Sequence, residues 1–344
     1  MVRAGDIRNL FTKTIRARAS PGQPFGLMRE VRPLVLLAFI FLGLCSSGSG
    51  LILIGDDVVE NLVPPPNGAP WQYVAGLGNG QGSGVYLGNR FVLTANHVSV
   101  NSPVLLNGVS YGLDPTYGEQ GVQQIGTADL KLLKLAGDPG LLPLPLIREA
   151  DGDLDQPCTI IGWGEGKGAA IPQQGWQWGG DDTVAQRWGL NVTNALPKII
   201  NDGTGQPQFI LLSTDFDLDA GPDEAQIAVF DSGCGLFIQI GGVWKLAGIG
   251  ADVDTENAAL YDHDPATDGL QPDRSYFHRI QEYRATILAL TTIDDVPTVP
   301  EPGSGGLLIV GAVFACGVRP RSLRLRVAWS PHEYPSHRRA TPTG

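Results

Sequence analysis

The sequence predicts an all-β protein, a barrel or a sandwich, that ends in a single helix. Short apolar runs of about four to seven residues alternate with turns rich in Gly, Asn and Asp through the middle of the chain, which is typical of β-strands. The 344 residues include 46 glycines and 26 prolines, and only 17% are charged. This composition disfavours coiled coils and helical repeats. A hydrophobic fraction of 42% is enough for a sizeable core.

The predicted strands follow one another from residue 84 to residue 249. They are residues 84–87, 90–95, 103–106, 130–135, 158–163, 207–213, 235–240 and 243–249. One helix is predicted over about residues 275–290, because Phe277, Ile280, Tyr283 and Ile287 recur at intervals of three or four.

Charge is distributed unevenly along the chain. Residues 1–49 carry seven Lys or Arg and two Asp or Glu, whereas residues 50–300 carry 11 basic and 31 acidic residues. Nucleic-acid binding requires a basic face. The acidic middle therefore argues against a nucleic-acid partner.

The N-terminal 49 residues are predicted to be an extension and a secretory signal peptide. Residues 34–44 are an apolar run that Arg29 and Arg32 precede and small residues follow from Cys45 onward, the order found in signal peptides. Met28 is a candidate start. The alternative is a buried core helix. We expect export to the cell envelope or beyond.

The C-terminal region carries Pro300-Glu301-Pro302, an apolar run at residues 305–318 and four arginines between residues 319 and 326. This order resembles the PEP-CTERM sorting signal of bacterial envelope proteins, which implies sorting and processing machinery as a partner and membrane contact through the terminal segments. A plain anchor or packing helix is the alternative. The predicted boundaries are 50–293 for the main domain, 294–304 for a linker, 305–326 for the sorting segment and 327–344 for a tail.

Three stretches of the main domain offer the groups of a nucleophilic acyl transfer. They are residues 91–98 around His97, residues 128–135 around Asp129, and residues 231–237 around Ser232. A serine nucleophile needs a base to take its proton and a carboxylate to orient that base. His97, Asp129 and Ser232 occur in this order at the edges of predicted strands.

These motifs resemble those of the chymotrypsin/trypsin-like serine proteases over about residues 68–290. The histidine motif is Leu-Thr-Ala-Asn-His at residues 93–97, Asp129 opens an apolar strand, and Asp231-Ser232-Gly233 forms the core of the serine motif. Gly-Trp-Gly at residues 162–164 and the strand at 244–249 are further marks. The resemblance implies two six-stranded antiparallel β-barrels with the active site between them.

The resemblance also implies a role for each site residue. Ser232 would be the nucleophile, His97 the general base and Asp129 its orienting carboxylate. The backbone N–H groups of Phe230 and Ser232 would form the oxyanion hole. Asp231 would support the active-site loop, although no Ile-Val-Gly-Gly start is visible near residue 55 to pair with it. The specificity pocket would include Gln226, Gly250 and Ala251, and the lack of an acid at residue 226 argues against cleavage after Lys or Arg.

Phe230 and Cys234 stand where the family has glycines. The backbone at residue 230 has two possible conformations. If Phe230 is held left-handed, the strain costs about 1–2 kcal/mol. If it relaxes, one N–H turns away from the substrate, and loss of such a donor costs about 10²–10³ in rate.

Other candidate sites receive weaker support from the sequence. Cys158 and Cys234 could form one disulfide in an oxidising compartment, but two buried free thiols are favoured. The acidic residues from Asp215 to Glu224 partly follow a calcium-loop pattern, yet position 12 is Gln226 and position 6 is Ala220. A solvated acidic loop is favoured, and we expect no metal and no cofactor.

The sequence therefore predicts a secreted, envelope-sorted serine endopeptidase that acts on protein or peptide substrates. The alternative is a catalytically impaired homologue that binds partners at the cell surface, and Phe230 with Cys234 is the feature that favours it. A third hypothesis is an unrelated surface protein with chance motifs.

Overall fold

A computed structural model describes residues 50–55, 59–100, 103–201, 207–267 and 269–293. The predicted signal peptide, linker, sorting segment and tail lie outside these residues. No helix within the described ranges is both long and apolar enough to cross a bilayer.

The first half of the described chain contains eight strands. They are β1 (Ile52–Leu53), β2 (Val74–Leu77), β3 (Gly82–Gly88), β4 (Phe91–Ala95), β5 (Val104–Leu106), β6 (Val109–Tyr111), β7 (Val122–Gln124) and β8 (Leu130–Lys134). Strands β2 to β8 form one antiparallel sheet of seven strands in the order β6-β5-β2-β3-β4-β8-β7.

The second half contains eleven strands and the helix. They are β9 (Pro157–Gly164), β10 (Lys167–Ile171), β11 (Gly175–Trp178), β12 (Ala185–Val192), β13 (Lys198–Asn201), β14 (Pro207–Asp215), β15 (Ala225–Gln226), β16 (Gly235–Ile240), β17 (Val243–Val253), β18 (Ala258–Leu260), β19 (Arg274–Arg279) and α1 (Ile280–Thr291). A second antiparallel seven-stranded sheet has the order β12-β9-β16-β17-β19-β14-β13. Two further sheets are small, β1-β15 and β10-β11-β18.

The all-β prediction with one C-terminal helix is confirmed among the described residues. Each large sheet has seven strands, one more than the six expected for each barrel. The predicted helix also begins later than expected, because residues 274–279 form β19 and only Ile280–Thr291 are helical.

The two large sheets share one hydrophobic core. One buried cluster includes Val85 and Leu93 from the first sheet together with Ile160, Leu236 and Ile249 from the second. The opposite faces of β3 and β4 pack into a separate cluster within the first sheet. All five residues of β4 are buried, which explains why every residue but Thr94 is apolar and the strand does not alternate with polar residues.

Candidate active site

The pairing of β4 with β8 brings His97 and Asp129 together. Ala95 at the end of β4 lies opposite Leu130 at the start of β8, so the residues that follow β4 must meet the residue that precedes β8. The Asn96 N–H donates to the Asp129 carbonyl at 3.0 Å. The His97 N–H donates to Asp129 Oδ1 at 2.9 Å, and His97 Nδ1 lies 2.7 Å from Asp129 Oδ2.

This geometry sets the roles of both side chains. A carboxylate only accepts hydrogen bonds, so Nδ1 of the His97 ring carries the proton that Asp129 binds. In the neutral ring, Nε2 then keeps a lone pair and can act as a base. Burial acts to raise the pKa of Asp129, but hydrogen bonds from His278 and His97 hold this pKa well below its usual range. Asp129 is therefore ionised at neutral pH.

Lys131 supports the loop that carries His97. This lysine is buried within β8, and its Nζ donates to the carbonyls of Asn96, at 2.9 Å, and Val98. Burial lowers the pKa of Lys131, and the charge of Asp129 counteracts this effect. Lys131 thus ties down the backbone on both sides of His97, a function that the apolar run at residues 130–135 did not reveal.

Ser232 lies in a tight turn that leads into β16, and the first sheet anchors this turn. The Ser83 N–H donates to the Ser232 carbonyl at 2.9 Å, and Ser83 Oγ donates to the Phe230 carbonyl at 3.1 Å. Gly233 has φ of +87°, and a Cβ there would lie 2.0 Å from the Ser83 carbonyl oxygen. Only glycine fits this close approach.

Two backbone N–H groups in this turn have no acceptor within the described part of the chain. The N–H groups of Asp231, Gly233 and Cys234 donate to the carbonyls of Ala228, Gly250 and Asp231. Among the described residues, no acceptor is found for the N–H groups of Phe230 and Ser232. An unpaired pair of neighbouring donors is what an oxyanion hole requires.

The backbone of Phe230 adopts the strained, left-handed conformation, one of the two that the sequence left open. Its φ is +70°, in the left-handed region that a side chain disfavours by about 1–2 kcal/mol. The backbone has therefore not relaxed, and the Phe230 N–H has not been withdrawn into a hydrogen bond within the described chain. Non-glycine residues in such conformations cluster at functional sites.

Asp231 is completely buried beneath this turn. Its Oδ2 accepts hydrogen bonds from the N–H groups of Ala228, at 2.9 Å, and Leu51, at 3.3 Å, while its Oδ1 has no donor among the described residues. Burial raises the pKa of Asp231 to about 7, and the buried Arg187 acts in the opposite direction. A Cβ on Gly162 would lie 2.1 Å from Asp231 Oδ1, so the Gly-Trp-Gly motif makes room for this carboxyl group.

Two side chains of the candidate triad line one cavity of about 340 Å³. It is lined by His97, Trp178, Ile227, Ala228, Val229, Phe230, Ser232, Ala251, Asp252, Val253, Glu256 and Asn257. No hydrogen bond joins the Ser232 hydroxyl to the His97 ring in the described structure, and such bonds are often long without substrate.

The three residues predicted for the specificity pocket occupy different places. Ala251 lines the cavity, whereas Gln226 and Gly250 are not among its lining residues. Gln226 is fully buried in β15 opposite Ile52. Gly250 exchanges backbone hydrogen bonds with Gly233 and Cys234 at 2.9 Å, which fixes β17 against the serine turn. The cavity wall is instead formed by residues 227–230 and 251–253.

The cysteine prediction is confirmed, since Cys158 and Cys234 are both buried free thiols. Burial raises the pKa of both thiols, so neither is a ready nucleophile. No group of three or more candidate metal ligands occurs among the described residues. In the acidic stretch, burial raises the pKa of Glu224 to about 8.

Comparison with known proteins gives one family match. The family model described as Trypsin matches residues 58–195. This range includes His97 and Asp129 but ends before Ser232. No curated protein sequence matches the chain.

Several solved structures are similar to the chain. Neuropsin, a serine protease expressed in the limbic system of mouse brain, is 18% identical with a TM-score of 0.43, over 67% of this chain and 97% of that one. A mutant of human heparin binding protein is 17% identical with a TM-score of 0.41, over 70% and 96%. The HtrA-type protease AlgW with a decapeptide is 17% identical with a TM-score of 0.36, over 61% and 51%.

Proposed function

We propose that this protein is a trypsin-like serine endopeptidase that uses Ser232, His97 and Asp129. The observation that carries the proposal is the hydrogen bond of His97 to Asp129, with His97 lining the same cavity as Ser232. The match of residues 58–195 to the Trypsin family model supports it independently.

In the proposed first step, Ser232 Oγ attacks the carbonyl carbon of the peptide bond. His97 Nε2 takes the hydroxyl proton, and the resulting imidazolium is stabilised by the ionised Asp129 at 2.7 Å. Breakdown of the tetrahedral intermediate returns this proton from His97 to the leaving amine and leaves an acyl group on Ser232. A water molecule, activated by His97 in the same way, then releases the acyl group.

The N–H groups of Phe230 and Ser232 would stabilise the negative charge that develops on the substrate oxygen. Donors that are fixed before the reaction need no reorganisation as charge develops. The positive φ of Phe230 and the anchoring of its carbonyl by Ser83 support a fixed orientation. The backbone strain at Phe230 lowers the stability of the turn. We do not expect it to lower the rate of the reaction directly.

We also propose that the cavity beside Ser232 takes an uncharged side chain of the substrate. Ile227, Ala228 and Val253 give it an apolar wall, and burial of an apolar side chain there is favourable. Asp252 and Glu256 line it too, but both are exposed to solvent, where water screens their charge. We therefore expect faster cleavage after an apolar residue than after Lys or Arg in a peptide panel.

Export and envelope sorting are proposed from the terminal segments alone. The apolar run at residues 34–44 and the Pro-Glu-Pro motif with its arginine cluster support cleavage at both ends. We expect a mature chain from near residue 48 to near residue 300. An intact mass near the 36.5 kDa of the full chain from the envelope fraction would contradict this processing.

Hydrolysis of a peptide mixture by the purified protein tests the proposed activity. The wild type should release new N-termini, and Ser232→Ala should release none above background. Ser110→Ala is the matched control, because Ser110 is exposed on β6 and does not line the cavity. If wild type and Ser232→Ala are equally inactive while both are folded, the catalytically impaired binding protein becomes the better description.

A further inference from the structure

A second histidine approaches the carboxylate of Asp129 from within the protein. His278 lies in β19, opposite Ile249 of β17 and Leu211 of β14. Its side chain is only 3% exposed, and its Nε2 lies 3.5 Å from Asp129 Oδ2. The same oxygen binds His97 Nδ1 at 2.7 Å. Oδ2 of Asp129 is therefore shared by two imidazole rings, one exposed to solvent and one buried.

The surroundings of His278 select one tautomer of its ring. Nδ1 is buried and has no hydrogen-bond partner among the described residues. A proton on Nδ1 would be a buried donor without an acceptor, and it would leave the Nε2 lone pair facing a carboxylate. Both are unfavourable. A proton on Nε2 instead gives Asp129 a donor and leaves only a weak acceptor unpaired.

Aromatic neighbours hold the ring of His278 in this orientation. Phe209 meets it edge-on, with centroids 5.6 Å apart and an interplanar angle of 76°, and Tyr283 does so at 6.3 Å and 83°. These contacts come from β14 and α1, so the ring is fixed by two elements besides its own strand. Restricting the ring in advance reduces the entropy lost when it forms a hydrogen bond.

We propose that His278 is a positioning residue of the active site, whose Nε2–H binds Asp129 Oδ2 and holds that carboxylate in place for His97. This inference rests on the proposed function, because it assigns to Asp129 the role of orienting the base. His278 does not line the cavity described above, and its hydrogen-bond contact to the site is with Asp129, so it would act through Asp129. Hydrogen bonds that donate to a carboxylate favour its ionised form, in agreement with the low pKa of Asp129.

The contact has a specific role because Asp129 is partly exposed. Its side chain is 28% exposed and that of His97 is 46% exposed. Without His278, water could therefore compete for the hydrogen bonds of this pair. Oδ1 is held by the His97 N–H, whereas Oδ2 has the catalytic ring as its other partner. A buried donor on Oδ2 keeps this oxygen from turning toward water when the His97 ring moves during catalysis. Partners that orient metal ligands typically change activity by about 10–100-fold when they are removed, and we expect an effect of the same order for His278.

Two variants of His278 and one control test the assignment in the full-length protein. His278→Leu fills the buried position with an apolar side chain and removes the hydrogen-bond donor. His278→Gln can place an amide N–H where Nε2–H was. Tyr283→Phe retains the ring contact with His278 and leaves Asp129 untouched. We expect kcat to fall by about 10–100-fold in His278→Leu, with KM unchanged, to recover in His278→Gln, and to stay near wild type in Tyr283→Phe.

Thermal unfolding separates these effects from misfolding. A His278→Leu protein that melts cooperatively and keeps wild-type kcat would overturn the proposal. So would a folded His278→Gln that is no more active than His278→Leu, because a purely structural role gives the amide no advantage.

A spectroscopic measurement tests the contact between His278 and Asp129 and does not require the protein to be active. In histidine labelled with ¹⁵N, we expect His278 to have a protonated Nε2 and an unprotonated Nδ1 at neutral pH, and its Nε2–H signal to shift in Asp129→Asn. A protonated Nδ1 would overturn the assignment. If the wild type has no activity but this signature is present, the proposed function fails and the contact between His278 and Asp129 stands.

Discussion

Asp129 and Asp231 flank the candidate active site, and their environments differ. Asp129 is partly exposed and has three hydrogen-bond contacts, two with His97 and one with His278. Asp231 is fully buried and accepts two backbone N–H groups on a single oxygen. Burial acts to raise the pKa of both, yet the pKa of Asp129 lies well below its usual range and that of Asp231 is raised to about 7. The number of donors, set against the depth of burial, decides whether each carboxyl group is charged.

Because their charge states differ, Asp129 and Asp231 have different roles. An ionised carboxylate beside His97 can stabilise a positive ring, which is what Asp129 is placed to do. Asp231 instead joins the serine turn to the backbone of Leu51, and the charge of the buried Arg187 acts on it. We therefore expect substitutions of Asp129 to act on rate and substitutions of Asp231 to act on stability and its pH dependence.

The largest expected effect is that of Asp129→Asn on turnover. An amide at this position leaves the geometry nearly unchanged but cannot stabilise the imidazolium, and such a change lowers kcat by about 10⁴-fold in a serine triad. The thermal midpoint should change little by comparison. Steady-state kinetics and thermal melting of the same preparation check both. A variant with kcat within tenfold of wild type would show that the charge of Asp129 does not support catalysis.

The second effect is on stability as a function of pH. Because the pKa of Asp231 is raised in the folded protein, the folded state binds more protons than the unfolded state between about pH 4 and pH 7. The free energy of unfolding should therefore fall across this window as pH rises, by up to about 4 kcal/mol from this one group. Asp231→Asn should remove that part of the slope.

Urea unfolding at several pH values measures this slope in wild type and Asp231→Asn. Glu224 also has a raised pKa, of about 8, so the difference between the two proteins isolates Asp231. Equal slopes would show that Asp231 titrates as an ordinary carboxyl group. For Asp129 the sign is opposite, since its stabilising contribution is present above the unfolded pKa and is lost only at more acidic pH.

The smallest expected effect is that of Phe230→Gly on the oxyanion hole. Glycine relieves the strain of a φ of +70°, worth about 1–2 kcal/mol, but removes a side chain that lines the cavity. Because the N–H is already unpaired, we expect kcat to change by less than about tenfold, whereas recovery of a lost donor would raise it by about 10²–10³. Ester turnover of Phe230→Gly, with Phe230→Gly/Ser232→Ala as the background, distinguishes these outcomes.

The part of the site that could be predicted from the sequence is the pair of His97 and Asp129, whose motifs adjoin predicted strands. The predicted strands at residues 90–95 and 130–135 form β4 and β8, and their antiparallel pairing alone places His97 beside Asp129. The conformation of Phe230 could not be predicted, because strain is tolerated only where surrounding contacts enforce it. Those contacts come from Ser83, which is distant in sequence.

His278 was missed because its segment was assigned to the helix. Apolar and aromatic residues spaced by three or four continue from α1 back to Phe277, and this periodicity concealed the end of β19. Residues 275–279, Ser-Tyr-Phe-His-Arg, contain two aromatic residues that favour strands, which was the available signal. The contact with Asp129 spans 149 positions, and no local pattern encodes such a distance.

The most direct test of Ser232 as the nucleophile is covalent labelling of the full-length protein by a fluorophosphonate probe, followed by peptide mapping. We predict a single adduct, located on Ser232, because only a serine activated by His97 and beside two free N–H donors attacks the phosphorus centre readily. Ser232→Ala and His97→Ala should both abolish labelling, and Ser110→Ala should not. A folded wild type that stays unlabelled while a known serine protease in the same tube is modified, or an adduct on another serine, would contradict the assignment of Ser232 as the nucleophile.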